Sequence, residues 1–193
     1  WQSPPSPGLT RDAVAYITYT SGTTGPPKGA LNTHGNVSYA ATAFATAYRV
    51  TADDRVLVIP PFIHVTGSIC LLAVATLVGA PIIIGYRFDA GEMLRLAERW
   101  RATYSNGPLT AYIALINHPG IRERDLSSFR KVLSGGAPVS PGVAREFEQL
   151  TGCYLHNTYG LTETTSPGIL TPLGVRGPVD GETGALSVGF PPP

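Results

Sequence analysis

The chain has 193 residues, 43% hydrophobic and only 14% charged, enough to bury one core of useful size. Its 14 basic and 13 acidic residues leave a formal net charge of +1, with no long run of either sign. That balance excludes a nucleic-acid or anionic-membrane footprint and points to small-molecule partners. The two cysteines form no CxxC pair, and no histidine stands at metal-ligand spacing from them, which excludes a disulfide framework and structural zinc and favours a reducing, cytoplasmic setting.

Taken in chain order, residues 1–8 are rich in Pro and Ser and read as a linker or a cut end. The chain opens at Trp1 without Met and stops at Pro193, so both ends read as cut; no targeting peptide is visible. The alternating run 13–17 predicts a strand that feeds the polar stretch 18–30, TYTSGTTGPPKGA. A helix is expected over 35–48 and a strand over 56–59. Between Arg55 and Arg87 there is no Asp, Glu, Lys or Arg, yet Pro60, Pro61, Gly67, Gly79 and Pro81 cut this run into pieces too short to cross a membrane. It reads instead as the strand 56–59, a helix over 67–77 and a strand over 81–86. Helices over 91–101, 109–117 and 141–150 then alternate with strands over 102–106, 131–134 and 153–157. The helix over 141–150 has Ser140 as N-cap and Pro141 at its first position. This alternation predicts an α/β fold, a largely parallel β-sheet flanked by helices, with ligands gathering at the carboxyl ends of the strands.

The stretch 18–30 has the chemistry of a phosphate grip. Hydroxyls at Thr20, Ser21, Thr23 and Thr24 can donate to phosphate oxygens, Gly22 and Gly25 let backbone amides approach, and Lys28 brings compensating charge. By composition alone it reads rather as a flexible connector. The order of residues argues otherwise, because Pro26-Pro27 stiffens the chain just before its one cation. Walker and GxGxxG patterns are absent, since Lys28 is followed by Gly29 and the glycines are spaced three and four apart. A P-loop NTPase, a protein kinase and a dinucleotide-dependent dehydrogenase are thereby disfavoured. No GxSxG elbow or HExxH motif is present, and His34, His118 and His156 read as structural.

Two further blocks follow: Ser134-Gly135-Gly136-Ala137-Pro138 and Asn157-Thr158-Tyr159-Gly160-Leu161-Thr162-Glu163. With the stretch 18–30 they resemble, in order, the phosphate loop, the adenine-side turn and the nucleotide and metal block of the adenylate-forming superfamily. That superfamily includes acyl-CoA synthetases, aryl-CoA ligases, luciferases and peptide-synthetase adenylation domains. The resemblance implies that residues 9–193 are part of the AMP-binding N-terminal domain, without its small C-terminal lid domain. It implies ATP and Mg2+ as cofactors and coenzyme A as the acyl acceptor, in an acid-thiol ligase whose isolated fragment catalyses poorly or not at all.

Residue by residue, the small Gly135, Gly136 and Ala137 leave a slot for a flat ring, and the resemblance implies that Tyr159 covers its other face. It also implies that Asn157 pairs its amide with the adenine edge, that Gly160 turns the chain, that Thr162 contacts the α-phosphate and that Glu163 holds magnesium. His64, in Pro60-Pro61-Phe62-Ile63-His64, is expected to line the acid pocket and orient the carboxylate. The family places an aromatic residue just before this His, where this chain has Ile63. No Phe-Asp pair lies near His64, which argues against amino-acid substrates; the room beside Gly135 and Gly136 favours a medium or long acyl chain. Two alternatives stay open: a nucleotide-binding module that does no chemistry, and an adenylating enzyme with another acceptor.

Overall fold

Uncharged runs such as Val-Leu-Val call for cover on both faces, and Val56, Leu57 and Val58 are all buried, whereas in the edge run Ile-Ile-Ile only Ile83 is. The computed structural model describes residues 8–22 and 25–192. Its strands are β1 (Val14–Thr20), β2 (Lys28–Thr33), β3 (Val56–Val58), β4 (Ile82–Ile84), β5 (Tyr104–Pro108), β6 (Lys131–Gly135), β7 (Leu155–Tyr159) and β8 (Ile169–Leu170). The helices are α1 (His34–Ala47), α2 (Val65–Gly67), α3 (Val74–Val78), α4 (Ala90–Trp100), α5 (Leu109–Ile116) and α6 (Pro141–Thr151). A π-helical segment, Ser68–Ala73, joins α2 to α3, and a 3-10 turn, Pro119–Glu123, follows α5.

β1 and β2 form an antiparallel hairpin, with Thr20 opposite Lys28. The other strands make one sheet in the order β4-β3-β5-β6-β7-β8, parallel except for the antiparallel pair β7-β8. Alternate residues of each strand serve opposite cores. Val56, Val58, Tyr104 and Leu133 pack with Phe44 and Tyr48 of the α1 side and with Leu71 and Val74. Leu57, Val132 and Leu155 pack with Met93 of α4, Tyr112 of α5 and Phe147 of α6.

The chain leaves β3 toward one edge, over the first face, and leaves β5 and β6 toward the other edge, over the second. Reversing direction and face together preserves the handedness of the crossovers. The order therefore reverses between β3 and β5, and a crevice opens there at the carboxyl ends. The opposite, amino-terminal edge is clamped. Asp54, just before β3, takes a hydrogen bond from Thr103 Oγ1, just before β5, at 2.8 Å, and pairs with Lys131 Nζ, the first residue of β6, at 2.6 Å.

Several expectations are met closely. Ser140 caps α6, its Oγ accepting from Val143 N at 3.3 Å, with Pro141 in the first turn and Gly152 closing the helix in the left-handed conformation. Others need correction. The helix expected over 67–77 begins at Val65, ends at Val78 and widens to π geometry in between. Its sequence is apolar all round, so periodicity carries no phase there. β5 and β7 start and end two residues later than expected, because pairing with β6 carries Gly107 and Pro108 into the ladder and pairing with β8 carries Thr158 and Tyr159 into it. β2 and β8 were not expected from the sequence at all. The expected strand 81–86 shortens to Ile82–Ile84.

Candidate functional site

A cleft of about 620 Å³ lies where the strand order reverses. Four carboxyl-end segments build it. The turn after β3 brings Pro60, Pro61, His64, Val65 and Thr66; the end of β5 brings Asn106 and Pro108, followed by Leu109 and Thr110 of α5. The turn after β6 brings Gly135, Gly136 and Ala137, and the segment after β7 brings Gly160, Leu161, Thr162, Glu163 and Ser166. Thr20, the last residue of β1, reaches the same cavity from the hairpin.

Each loop is held by local chemistry. Gly136 has φ +82° with nothing within 4 Å of a virtual Cβ, so the turn after β6 depends on glycine for its backbone and stays open toward the cleft. Gly22 has φ +60° in the hairpin loop, again a glycine conformation. His64 sits just before α2, and its Nδ1 accepts from Thr66 N at 3.2 Å, which fixes the ring on the wall. Thr164 Oγ1 accepts from Leu161 N at 3.0 Å, closing the turn that presents Thr162 and Glu163.

Asn32, in β2, ties the hairpin to that turn. Its Nδ2 donates to the Thr162 carbonyl at 3.1 Å and to Thr165 Oγ1 at 2.8 Å, from a fully buried position. Sequence reasoning missed it. The available signal was an Asn in the strand-like run Ala30-Leu31-Asn32-Thr33, where a buried amide demands a partner. It missed Asn106 for the same reason.

The structure thus brings together Thr20, His64, Gly135, Gly136, Ala137, Gly160, Thr162 and Glu163 on one cavity. Ser21, Gly22, Gly25 and Lys28 belong to the hairpin loop and the start of β2 and do not line it; Thr23 and Thr24 lie outside the described residues. Tyr159 ends β7, half exposed at 50%, next to Gly160 but off the cavity wall. Asn157 is buried in β7 and its amide nitrogen is committed, donating to the Leu186 carbonyl at 3.0 Å; only its Oδ1 is without a partner. The expected pairing through its amide is therefore restricted to the carbonyl half. Phe62 and Ile63 are exposed and line nothing in the cleft, so the departure at Ile63 does not reshape this wall.

The electrostatics are sparse. Among the described lining residues Glu163 is the one carboxylate, exposed and without a salt bridge, and no Lys or Arg lines the cavity. No cluster of three His, Cys, Asp or Glu exists among the described residues. His118 accepts from Gly120 N at 3.1 Å and caps the 3-10 turn, and burial pushes the His156 imidazole below its ordinary pKa. His34 begins α1. No helix of the described residues is long and apolar enough to cross a membrane.

Comparison with known proteins shows the fold and the family. A feruloyl-CoA synthase of an Amycolatopsis species is 38% identical over 169 residues, covering 86% of this chain and 34% of that protein. A long-chain-fatty-acid–CoA ligase of Bacillus subtilis is 36% identical over 155 residues, covering 79% and 28%. An O-succinylbenzoate coenzyme A synthetase of Bacillus subtilis, solved with ATP and magnesium ion, superposes with a TM-score of 0.80 at 29% identity, covering 95% of this chain and 37% of that one. The chain spans about a third of the length of the curated relatives it matches. The profile of the family described as AMP-binding enzyme matches residues 1–193, and the chain belongs to that family.

Proposed function

We propose that the whole protein containing this chain activates a carboxylic acid with ATP and passes the acyl group to the thiol of coenzyme A. The observation that carries this reading is the meeting of Thr20, His64, the Gly135–Ala137 turn, Thr162 and Glu163 on one cleft at the carboxyl edge of the sheet. In the first step a carboxylate oxygen attacks the α-phosphorus of ATP. The bond to the bridging oxygen breaks and pyrophosphate leaves with that electron pair, giving an acyl-adenylate. In the second, the thiolate sulfur attacks the acyl carbon and AMP leaves.

Two anions must meet in the first step, so the barrier is largely electrostatic. The hydroxyl and amide donors of Thr20, Ser21, Gly22, Thr23, Thr24 and Gly25, with Lys28, hold the outer phosphates. Thr162 donates to the α-phosphate, and His64 orients the acid carboxylate. Tyr159 covers the adenine opposite Gly135, Gly136 and Ala137, and Asn157 Oδ1 accepts from its exocyclic amine. Glu163 suits magnesium, which takes one or two carboxylates together with phosphate oxygens and water rather than a full protein cage. When bound there, magnesium neutralises charge on the departing pyrophosphate.

The test is acid-dependent exchange of labelled pyrophosphate into ATP by the full-length protein. Exchange that requires an acid, and that falls on the order of a hundredfold in Glu163→Gln, is the expected result. ATP hydrolysis without acid, or silence against a broad acid panel with ATP binding retained, refutes it; the latter supports a non-catalytic module.

A further inference from the structure

Asn106 is the one side chain among the described residues that both lines the cleft and keeps a buried polar atom without a partner. It lies in β5 at the switch point, opposite Val58 of β3 and Leu133 of β6, and is 1% exposed. Asparagine is depleted in strands, and two aliphatic neighbours offer its amide nothing. A buried amide oxygen left unpaired in a native fold needs an explanation, and one that ends on a cavity wall is explained by a ligand.

Its face is set by the strand. Tyr104, two residues earlier and so on the same side of the sheet, donates its hydroxyl to the Cys70 carbonyl at 2.9 Å in the π-helical segment. The turn that leads into that helical layer supplies His64, Val65 and Thr66 to the cleft. Pro60, Pro61, Pro108 and Leu109 on this wall have apolar side chains, and Thr110 adds a hydroxyl. Asn106 is thus the buried polar residue of this wall, beside the more exposed His64, Thr66 and Thr110.

We propose that the acid bound in this cleft carries a neutral hydroxyl on its body, and that this hydroxyl donates to Asn106 Oδ1. The assignment rests on the acid-activation reading above. An ammonium would call for a carboxylate, and the one carboxylate among the described lining residues, Glu163, belongs to the segment after β7. A hydroxyl both donates and accepts, so it satisfies the amide in either orientation of its head group. A plain alkyl chain leaves Oδ1 unpaired, which reverses the preference for long acyl chains drawn from glycine room alone. A site built to bond a hydroxyl rejects the analogue that lacks it.

The experiment uses the full-length protein and matched acid pairs in pyrophosphate exchange: 4-hydroxycinnamate with cinnamate, and 6-hydroxyhexanoate with hexanoate. In the wild type kcat/KM favours the hydroxylated member of at least one pair by about tenfold or more, the worth of one well-made hydrogen bond. In Asn106→Leu the ratio falls to within about twofold of one, with KM for ATP moving less than that. Asn106→Ser, smaller and still polar, serves the same purpose should the leucine variant fold poorly. Exchange with every ratio near one in the wild type, or a ratio that survives both variants, overturns the hydroxyl assignment and spares acid activation. Absence of exchange with every acid overturns acid activation, and the hydroxyl assignment with it.

Discussion

Lys131→Met should cost the full-length protein about 3 kcal/mol at neutral pH, and the penalty should shrink on acidification. Lys131 Nζ lies 2.6 Å from Asp54 Oδ2, with side chains 13% and 2% exposed. The same Nζ donates to the Arg49 carbonyl at 2.7 Å. Removing one partner of a buried ion pair strands the other and costs about 3–5 kcal/mol. Asp54 would keep its bonds from Thr103 Oγ1 at 2.8 Å and from Thr51 N at 2.9 Å, which places this substitution at the low end. In the wild type, burial pushes the Asp54 carboxyl up, but bonds from Lys131, Thr51 and Thr103 outweigh it and hold the group below the usual carboxylate range. A depressed folded pKa contributes stability above the unfolded value of about 3.9, and that contribution disappears as pH falls through the folded value. Without the cation, desolvation dominates and the carboxyl titrates above its unfolded value, so the variant escapes its penalty by protonating. Denaturant unfolding of wild type and variant at pH 7.5 and about pH 5 measures the difference. Asp54→Asn with Lys131→Met removes both charges and should recover most of the loss. A penalty equal at both pH values, or a double variant no better than the single, would refute the reasoning.

Asn32→Ala removes two hydrogen bonds worth about 1 kcal/mol each, and if that energy serves to order the Thr162–Thr165 turn, kcat/KM for Mg·ATP falls about 30-fold while KM for the acid holds. Steady-state kinetics with each substrate varied in turn checks this; a lower melting temperature with unchanged Mg·ATP kinetics would contradict it. Burial pushes both Cys70 and Cys153 up to about 12, so neither carries appreciable thiolate at pH 8. Maleimide should label both only after denaturant is added, and rapid labelling of the native protein would show that these thiols are not buried as described.

What could be read from the chain depended on how local its cause was. α6 announces itself through Ser140, Pro141 and Gly152, all within one short stretch. β3, Val56-Leu57-Val58, is apolar throughout, and β6 shows itself through Val132-Leu133. Ser105-Asn106-Gly107-Pro108 has no strand character of its own, and β5 extends through it because β6 supplies the ladder. The π-helical segment was invisible because apolar residues surround it on every side. At the site, the small turn after β6 was legible by residue type, whereas the Thr162-Glu163 pair was singled out only through the resemblance of its block to the family. The roles of Asn32 and Asn106 were not legible, since the first depends on partners 130 and 133 positions away and the second on facing a cavity. Asn157 was singled out by resemblance, and only its surroundings in β7 showed that its nitrogen already donates to the Leu186 carbonyl.

The Asn32 tie also sets a timetable for synthesis. The hairpin closes locally, but its anchor at Thr162 comes 130 residues later, on the order of ten seconds of translation. During that interval the Asn32 amide has no partner in the fold, and Ile17, Tyr19 and Leu31, exposed even in the finished structure, stand uncovered beside it. The hairpin and the Thr162–Thr165 turn therefore meet only near the end of this stretch of chain. A ribosome that stalls between β2 and β7 would display a formed hairpin and no site, with apolar side chains on view to any chaperone nearby.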